Sequence, residues 1–197
     1  SVTVVVPCRN EFGNIEEAIK RLPRMGACTE LIYVEGNSND NTFEECLRVK
    51  AAYPEWDIKV FQQTGKGKGD AVRKGFSEAK GDILMILDAD LTVPPEDLPK
   101  FYQAIASGEG EFINGSRLVY NMESEAMRPL NLLGNKFFSW AFSFLLSQKL
   151  RDTLCGTKVL TKKNYEKIIE GRSYFGEFDP FGDFDLLFGA AKLNLKI

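Results

Sequence analysis

The 197 residues suit one domain of mixed structure with a sizeable core, and 44% hydrophobic with 27% charged residues is a globular composition rather than a disordered one. The net charge of −3, without a basic block, argues against duplex nucleic acid as a partner. The chain has no histidine, which excludes Ser-His-Asp and Cys-His catalysis and His-ligated zinc, and Cys8, Cys28, Cys46 and Cys155 form no CxxC pair, so they read as reduced, mostly buried thiols of a cytosolic setting.

Strands and helices alternate along the chain. Ser1 runs straight into Val2-Thr3-Val4-Val5-Val6, a β-branched run closed by Pro7 that reads as a buried strand, which leaves no signal peptide in this sequence. Ile15, Ala18, Ile19 and Leu22 then recur at helical spacing. Leu31-Ile32-Tyr33-Val34 is a second strand. Phe43, Cys46 and Leu47 mark a helix that Ser38 or Asn39 would cap. Ile58 to Phe61 is a third strand, and Val72, Phe76 and Ala79 mark the next helix. Ile83 to Leu87 is the clearest central strand and runs directly into Asp88. Pro94-Pro95-Glu96-Asp97 opens a further helix, with Leu98, Phe101, Tyr102 and Ile105 as its apolar face. Glu111 to Gly115 is another strand. Leu195-Lys196-Ile197 reads as the opening of one more, so the sequence is expected to be a single domain, 1–197, truncated at its C-terminal side. This alternation predicts an α/β fold, a mostly parallel central sheet with helices on both faces, whose ligands bind at the carboxyl ends of the strands.

The polar clusters fall at those ends. Asp88-Ala89-Asp90 sets two carboxylates around one small residue after an unbroken apolar run. A hard divalent cation takes oxygen ligands and keeps waters and substrate phosphates in its shell, so the pair suits an ion bridging to a diphosphate; an acidic, solvated turn is the plain alternative. Pro7-Cys8-Arg9-Asn10-Glu11 follows the first strand and by itself is an ordinary strand-to-helix loop. Glu35-Gly36-Asn37-Ser38-Asn39-Asp40-Asn41-Thr42 follows the second: Glu35 can accept hydrogen bonds from a base N–H or ribose hydroxyls, Gly36 admits a flat ring, and Ser38, Asn39 or Asp40 can cap the next helix. Gly65-Lys66-Gly67-Lys68-Gly69-Asp70 opens a helix with glycines and lysines, which suits a phosphate as well as it suits a solvated basic turn. It matches neither the P-loop nor the dinucleotide fingerprint.

Taken in order, these blocks resemble glycosyltransferase family 2, whose members have the GT-A fold, and most resemble its polyprenyl-phosphate sugar transferases, the dolichol-phosphate mannose synthase group. The family's usual DDGSxDxT stands here as Glu35 to Thr42, with Glu35 for the first Asp and Gly36 for the second. Leu87 to Glu96 matches the group's metal segment, with Thr92 where many members carry Gln, and Gly67 to Gly75 matches its glycine-lysine helix start. The resemblance implies a metal-dependent inverting transfer of a hexose from a nucleotide-sugar, GDP-mannose or UDP-glucose, to a polyprenyl phosphate. It implies Mg²⁺ or Mn²⁺ on Asp88 and Asp90, and a donor lying against Pro7, Asn10, Glu11, Glu35, Lys68 and Asp88. Gly115-Ser116-Arg117 matches a motif whose Arg lies near the acceptor phosphate, with Arg128 and Asn131 as the next positions of the group. Asp152 to Lys158 matches a D-x-x-x-G element, and Asp185, with Asp183 close behind, stands where the family has a late acid. A phosphate acceptor needs only positioning, by Arg117 and Arg128; a sugar hydroxyl would need Asp185 or Asp183 as base. The implied location is the cytoplasmic face of a membrane.

Residues 130–146 are mostly apolar but fall short of the roughly 20 residues of a bilayer span, with Asn135 and Lys136 interrupting. They read either as a buried helix or, with the resemblance, as a helix on the membrane surface where a lipid-linked acceptor arrives. Two competing functions are a nucleotidylyltransferase, which the absence of a GxGTR-like loop after the first strand opposes, and a non-catalytic nucleotide-sugar binding module, for which Gly36 and Thr92 speak.

Overall fold

The computed structural model describes residues 1–115, 155–171 and 183–197. Its centre is a six-stranded sheet of β1 (Val2–Cys8), β2 (Thr29–Glu35), β3 (Asp57–Gln62), β4 (Ile83–Ile86), β5 (Phe112–Asn114) and β6 (Lys158–Thr161), in the order β3-β2-β1-β4-β6-β5. The pairs β3-β2, β2-β1 and β1-β4 are parallel, and β6 runs antiparallel to both β4 and β5. Buried strands covered on both faces need no polar side, which is why β1 and β4 are apolar almost throughout and β2 is apolar from Leu31 to Val34.

The pleat sends alternate side chains to opposite layers. Val4, Val6, Leu31, Tyr33 and Met85 pack with Ile15, Ile19, Cys46, Val49, Leu98 and Ile105, from α1 (Ile15–Arg21), α2 (Thr42–Ala52) and α4 (Leu98–Ala106). Val5, Ile32, Val34, Leu84 and Ile86 pack with Val72, Phe76, Tyr165, Ile168 and Leu187, from α3 (Lys68–Glu78), α5 (Lys162–Glu170) and α6 (Asp183–Lys192). The α3 helix lies so close to the sheet that a Cβ on Gly75 would overlap the methyls of Val5.

The register carries the strand ends to one edge. Cys8 pairs with Glu35, Glu35 with Gln62, and Val5 with Ile86, while the Leu87 N–H extends the β4 ladder to the Val5 carbonyl at 3.0 Å. The chain's polar clusters therefore leave the sheet side by side. At the opposite edge buried Glu30 accepts from Thr3 Oγ1 at 2.5 Å and the Lys80 N–H at 2.9 Å, and pairs with Lys59 at 2.6 Å. Burial pushes its carboxyl up, but Lys59 and these hydrogen bonds outweigh it and hold the group below the ordinary carboxylate range.

Several expectations need correcting. Neither Ser38 nor Asn39 caps α2: Asn41 takes that position, and the Asp40 carboxylate accepts from the Thr42 N–H at 3.0 Å. Residues 195–197 form no strand. Asn194 turns the chain at φ 52, and the Lys196 carbonyl accepts from the N–H groups of Glu111 and Phe112 at 2.7 and 3.1 Å. Strand β6 was not expected. Leu47 is exposed rather than on the buried face of α2, and Cys28 is exposed while Cys8, Cys46 and Cys155 are buried, reduced thiols. The apolar stretch 130–146 lies outside the described residues, and no helix among those described is long and apolar enough to cross a membrane.

Candidate functional site

Two loops at the sheet's carboxyl edge are stitched to each other by short polar side chains. In the loop after β1, Asn10 holds φ 57, a left-handed conformation that asparagine tolerates. Its N–H donates to Ser38 Oγ at 2.9 Å, and its Oδ1 accepts from the Asn39 N–H at 2.8 Å. The Glu11 N–H donates to Thr42 Oγ1 at 2.9 Å, while Glu11 Oε2 accepts from Asn14 Nδ2 at 2.7 Å. The Gly36 N–H closes the junction on the Cys8 carbonyl at 2.9 Å. Asn, Ser and Thr here replace the backbone partners that a strand would have supplied.

Glu35 lies under this pair of loops, 1% exposed. Its Oε1 accepts from the Ser38 N–H at 2.5 Å and its Oε2 from Gln62 Nε2 at 3.2 Å. Burial raises its pKa, but the hydroxyl and N–H of Ser38, the Gln62 amide and the Asn37 N–H together hold it below the ordinary range, so it is an anion spent on bracing its own loop.

The other end of the edge is built around Asp88. Gly67, at φ 84, turns the chain into α3, and Lys68, the first helical residue, places Nζ 2.6 Å from Asp88 Oδ1. Asp70 closes the glycine turn behind it, accepting from the Gly65 N–H at 2.8 Å. Beyond β4 the Leu91 N–H donates to the Asp88 carbonyl at 3.0 Å and the Thr92 N–H to Asp90 Oδ1 at 3.0 Å, a tight turn with Leu91 at φ 53. The residues that follow, Pro95–Asp97, are moored by a two-pronged Arg21–Glu96 pair at 2.7 and 2.9 Å. Gly156, leading into β6, packs directly on the acid: a Cβ there would overlap Asp88 Oδ2 and Lys68 Nζ.

Between these ends lies a cleft of about 400 Å³. Of the residues expected at a site, Pro7, Glu11, Lys68, Asp88 and Asp90 line it together. Asn10 and Glu35 do not line it and instead hold the loops that do. Asp185 lines a separate small recess with Gly69, Val72 and Arg73, on a different face of α3. Asp183 begins α6, and Arg117, Arg128, Asn131 and Asp152 lie outside the described residues. Arg9, Gly36 and Gln63 also line the cleft. Gln63 was missed. It is the first residue after β3, so the rule that ligands bind beyond strand ends would have found it had the rule been applied to every strand. It is 7% exposed, its backbone N–H donates to the Glu35 carbonyl at 2.9 Å, and its side-chain amide makes no hydrogen bond among the described residues.

The cleft's donor set bears on a metal. Among the described residues no three acid or cysteine side chains gather to hold an ion unaided. Two aspartates on one open cleft fit an ion whose shell is completed by water and phosphate oxygens, the usual arrangement for Mg²⁺, with Lys68 beside them to meet phosphate.

The sequence model described as "Glycosyl transferase family 2" matches residues 3–169. A dolichol-phosphate mannosyltransferase of Pyrococcus furiosus is 40% identical over 121 residues, 60% of this chain and 33% of that protein. A dolichyl-phosphate beta-glucosyltransferase of Saccharomyces cerevisiae is 31% identical over 190 residues, 85% of this chain and 56% of that protein. The chain thus spans about a third to a half of the length of these curated relatives. Among solved structures, the mannosyltransferase PcManGT of Pyrobaculum calidifontis, in complex with GDP-Man and Mn²⁺, aligns with a TM-score of 0.59 at 20% identity over 85% of this chain and 46% of that one. The likeness is one of fold, and the fold is GT-A.

Proposed function

The chain belongs to glycosyl transferase family 2, and from that premise we propose that it forms the donor-binding catalytic part of an enzyme moving a hexose from a nucleotide-sugar to a polyprenyl phosphate. One observation carries the reading: a single cleft joins an acidic end, Asp88 and Asp90 with Lys68, to an end made by Pro7, Gly36 and Gln63. The strands whose ends form it, β4, β1, β2 and β3, are neighbours in that order, so the two ends stand about three strand spacings, roughly 14 Å, apart. That is a suitable span for a base and ribose at one end and a diphosphate at the other.

In this reading Gln63 and the loops braced by Glu35, Asn10 and Glu11 hold the nucleoside, and Lys68 meets the diphosphate. Asp88 and Asp90 would hold Mg²⁺ or Mn²⁺, which when bound would supply positive charge to a diphosphate leaving group. The Mn²⁺ and GDP-Man in the PcManGT complex support that choice by likeness of fold. The relatives named for dolichyl-phosphate products support a lipid-phosphate acceptor, and the two sugars in their names keep GDP-mannose and UDP-glucose both in play. The acceptor is already an anion at neutral pH. It attacks the anomeric carbon in line, inverts it, and needs positioning rather than a base, a role given to Arg117 and Arg128. The place of Asp185, off the cleft and on another face of α3, supports this over proton removal from a sugar hydroxyl. Such an enzyme would work at the cytoplasmic face of a membrane, with 130–146 as the surface contact.

The test is transfer of labelled sugar from GDP-mannose and UDP-glucose to a short polyprenyl phosphate, with and without Mn²⁺, in wild type and Asp88→Asn. Metal-dependent transfer that Asp88→Asn abolishes is expected. Tight nucleotide-sugar binding with no transfer to any polyprenyl phosphate or saccharide by the full-length protein would establish a binding module instead.

A further inference from the structure

We propose that Lys68 is a resident counter-ion for Asp88, one that yields its place to the arriving divalent ion and passes to the donor's phosphate, so that metal and donor bind as a coupled pair. The inference rests on the metal and donor reading above and adds an exchange that neither partner implies alone.

Three observations lead to it. The ammonium is 2.6 Å from Asp88 Oδ1, on one of the two carboxylates an ion would need, and the two side chains are similarly shielded, at 27% and 28% exposure. A partly shielded carboxylate is stabilised by a neighbouring cation, and Lys68 is the cation that stands there in this structure. The pair also cannot back away, because Gly156 closes the side behind it: a Cβ at that residue would overlap both Asp88 Oδ2 and Lys68 Nζ. The open direction is the cleft, which both residues line. Finally, Lys68 is the first residue of α3, so its flexible four-carbon stem springs from the end of the helix where N–H groups are unpaired, and a small swing moves its charge from carboxylate to phosphate. A dication outcompetes one ammonium for the two aspartates, and the displaced ammonium then has the diphosphate to meet. The net charge of the cleft is unchanged by the exchange, because the dication and the two negative charges of the donor's diphosphate enter together.

The exchange makes a prediction of opposite signs. Lys68→Gln should bind Mn²⁺ alone about two- to fivefold more tightly, because removing the competitor releases what a partly exposed ion pair is worth. The same variant should bind GDP and UDP in the presence of Mn²⁺ about tenfold more weakly, because the phosphate has lost its charged hydrogen bond. Lys68→Met, an uncharged side chain of similar length, should behave likewise. Lys66→Gln removes a cation from the same turn that makes no ion pair with Asp88, and its Mn²⁺ affinity should match wild type. Mn²⁺ binding is read by electron paramagnetic resonance and nucleotide binding by calorimetry, with melting curves confirming the fold. Unchanged or weaker Mn²⁺ binding by both Lys68 variants overturns the exchange, as does equal tightening by Lys66→Gln, which would mean general electrostatics. If wild type binds Mn²⁺ with GDP or UDP and Asp88→Asn does not, the metal reading stands whatever Lys68 does. If wild type binds no Mn²⁺ at all, both fall.

Discussion

Replacing Gly156 by Ala should disable the site while leaving the fold largely in place. The new Cβ would overlap Asp88 Oδ2 and Cγ and Lys68 Nζ, closer than real Cβ atoms come to any neighbour. Lys68 can swing aside, but Asp88 sits on the end of a buried strand whose next residue inward, Leu87, is fully buried and bonded to Val5. To restore ordinary contact the carboxylate must retreat by about 1 Å, and a misplacement of that size costs roughly 10²-fold in turnover. Relief by moving residue 156 instead would strain β6, which begins two residues later and pairs with β4, at about 1–3 kcal/mol of stability. Transfer assays should therefore show kcat/KM down about a hundredfold. Mn²⁺ binding should weaken with it, and urea unfolding should show only the smaller stability loss. Turnover within threefold of wild type would mean that Asp88 does not need its observed place, and the argument from Gly156 would fail. A protein that loses its cooperative unfolding transition would show Gly156 to be structural alone.

Gln63→Leu keeps the side chain's bulk and removes its amide, so nucleoside diphosphate affinity should fall about tenfold by calorimetry, as expected for a lost hydrogen bond; equal affinity would place the base elsewhere. Gly75→Ala drives a methyl into Val5 far from the cleft and should cost about 1–3 kcal/mol in chemical denaturation, with the folded fraction fully active. Stability should also depend on acid. Glu30 and Glu35 are both held below the ordinary carboxylate range, so in the folded state they bind protons less readily than in the unfolded chain. Their contribution is complete above the unfolded value of about 4.3 and is lost as pH falls through the lower folded values. The melting temperature should drop through that window, and Glu35→Gln should flatten part of the slope; an unchanged slope would mean that Glu35 is not an anion in its loop.

The central strands were legible because a strand buried on both faces reads as a nearly unbroken apolar run, as Val2 to Val6 and Ile83 to Leu87 do. Strand β6 was not. It is short, opens with Lys158, and follows directly on the D-x-x-x-G element that begins at Asp152. Lys158 is buried all the same, because its ammonium donates to the Cys155 carbonyl, a contact no local pattern announces. The carboxylates of the site were legible as acids at strand ends. What Glu35 does with its charge was not, since Ser38 and Gln62 reach it only through the turn of one loop and the register of β2 on β3. Gln63 shows the complementary failure, a neutral residue outside any motif that only the assembled sheet edge brings to the cleft.

The two ends of the cleft are held by different physics, and the difference bears on where the acceptor arrives. The end proposed for the nucleoside is fixed mainly by short hydrogen bonds, between neutral groups and to the Glu35 carboxylate, which set its shape. The end proposed for the diphosphate is fixed by opposed charges, which can be redistributed without moving the backbone. In the proposed reaction the chemistry would occur at the second end, on the side facing away from the nucleoside. There the Gly115 N–H donates to the Thr157 carbonyl at 2.9 Å, and Thr157 follows the glycine that packs on Asp88. The described residues flanking 116–154, Gly115 and Cys155, therefore stand beside the reacting end, with no room between them for a Cβ on Gly115. In the proposed reaction an acceptor phosphate approaching from that side would stand opposite the leaving diphosphate, the direction an inverting displacement requires. Substituting Arg117 should accordingly raise KM for the lipid phosphate while leaving donor affinity intact, whereas a fall in donor affinity of the same size would assign Arg117 to the donor and leave the acceptor without its guide.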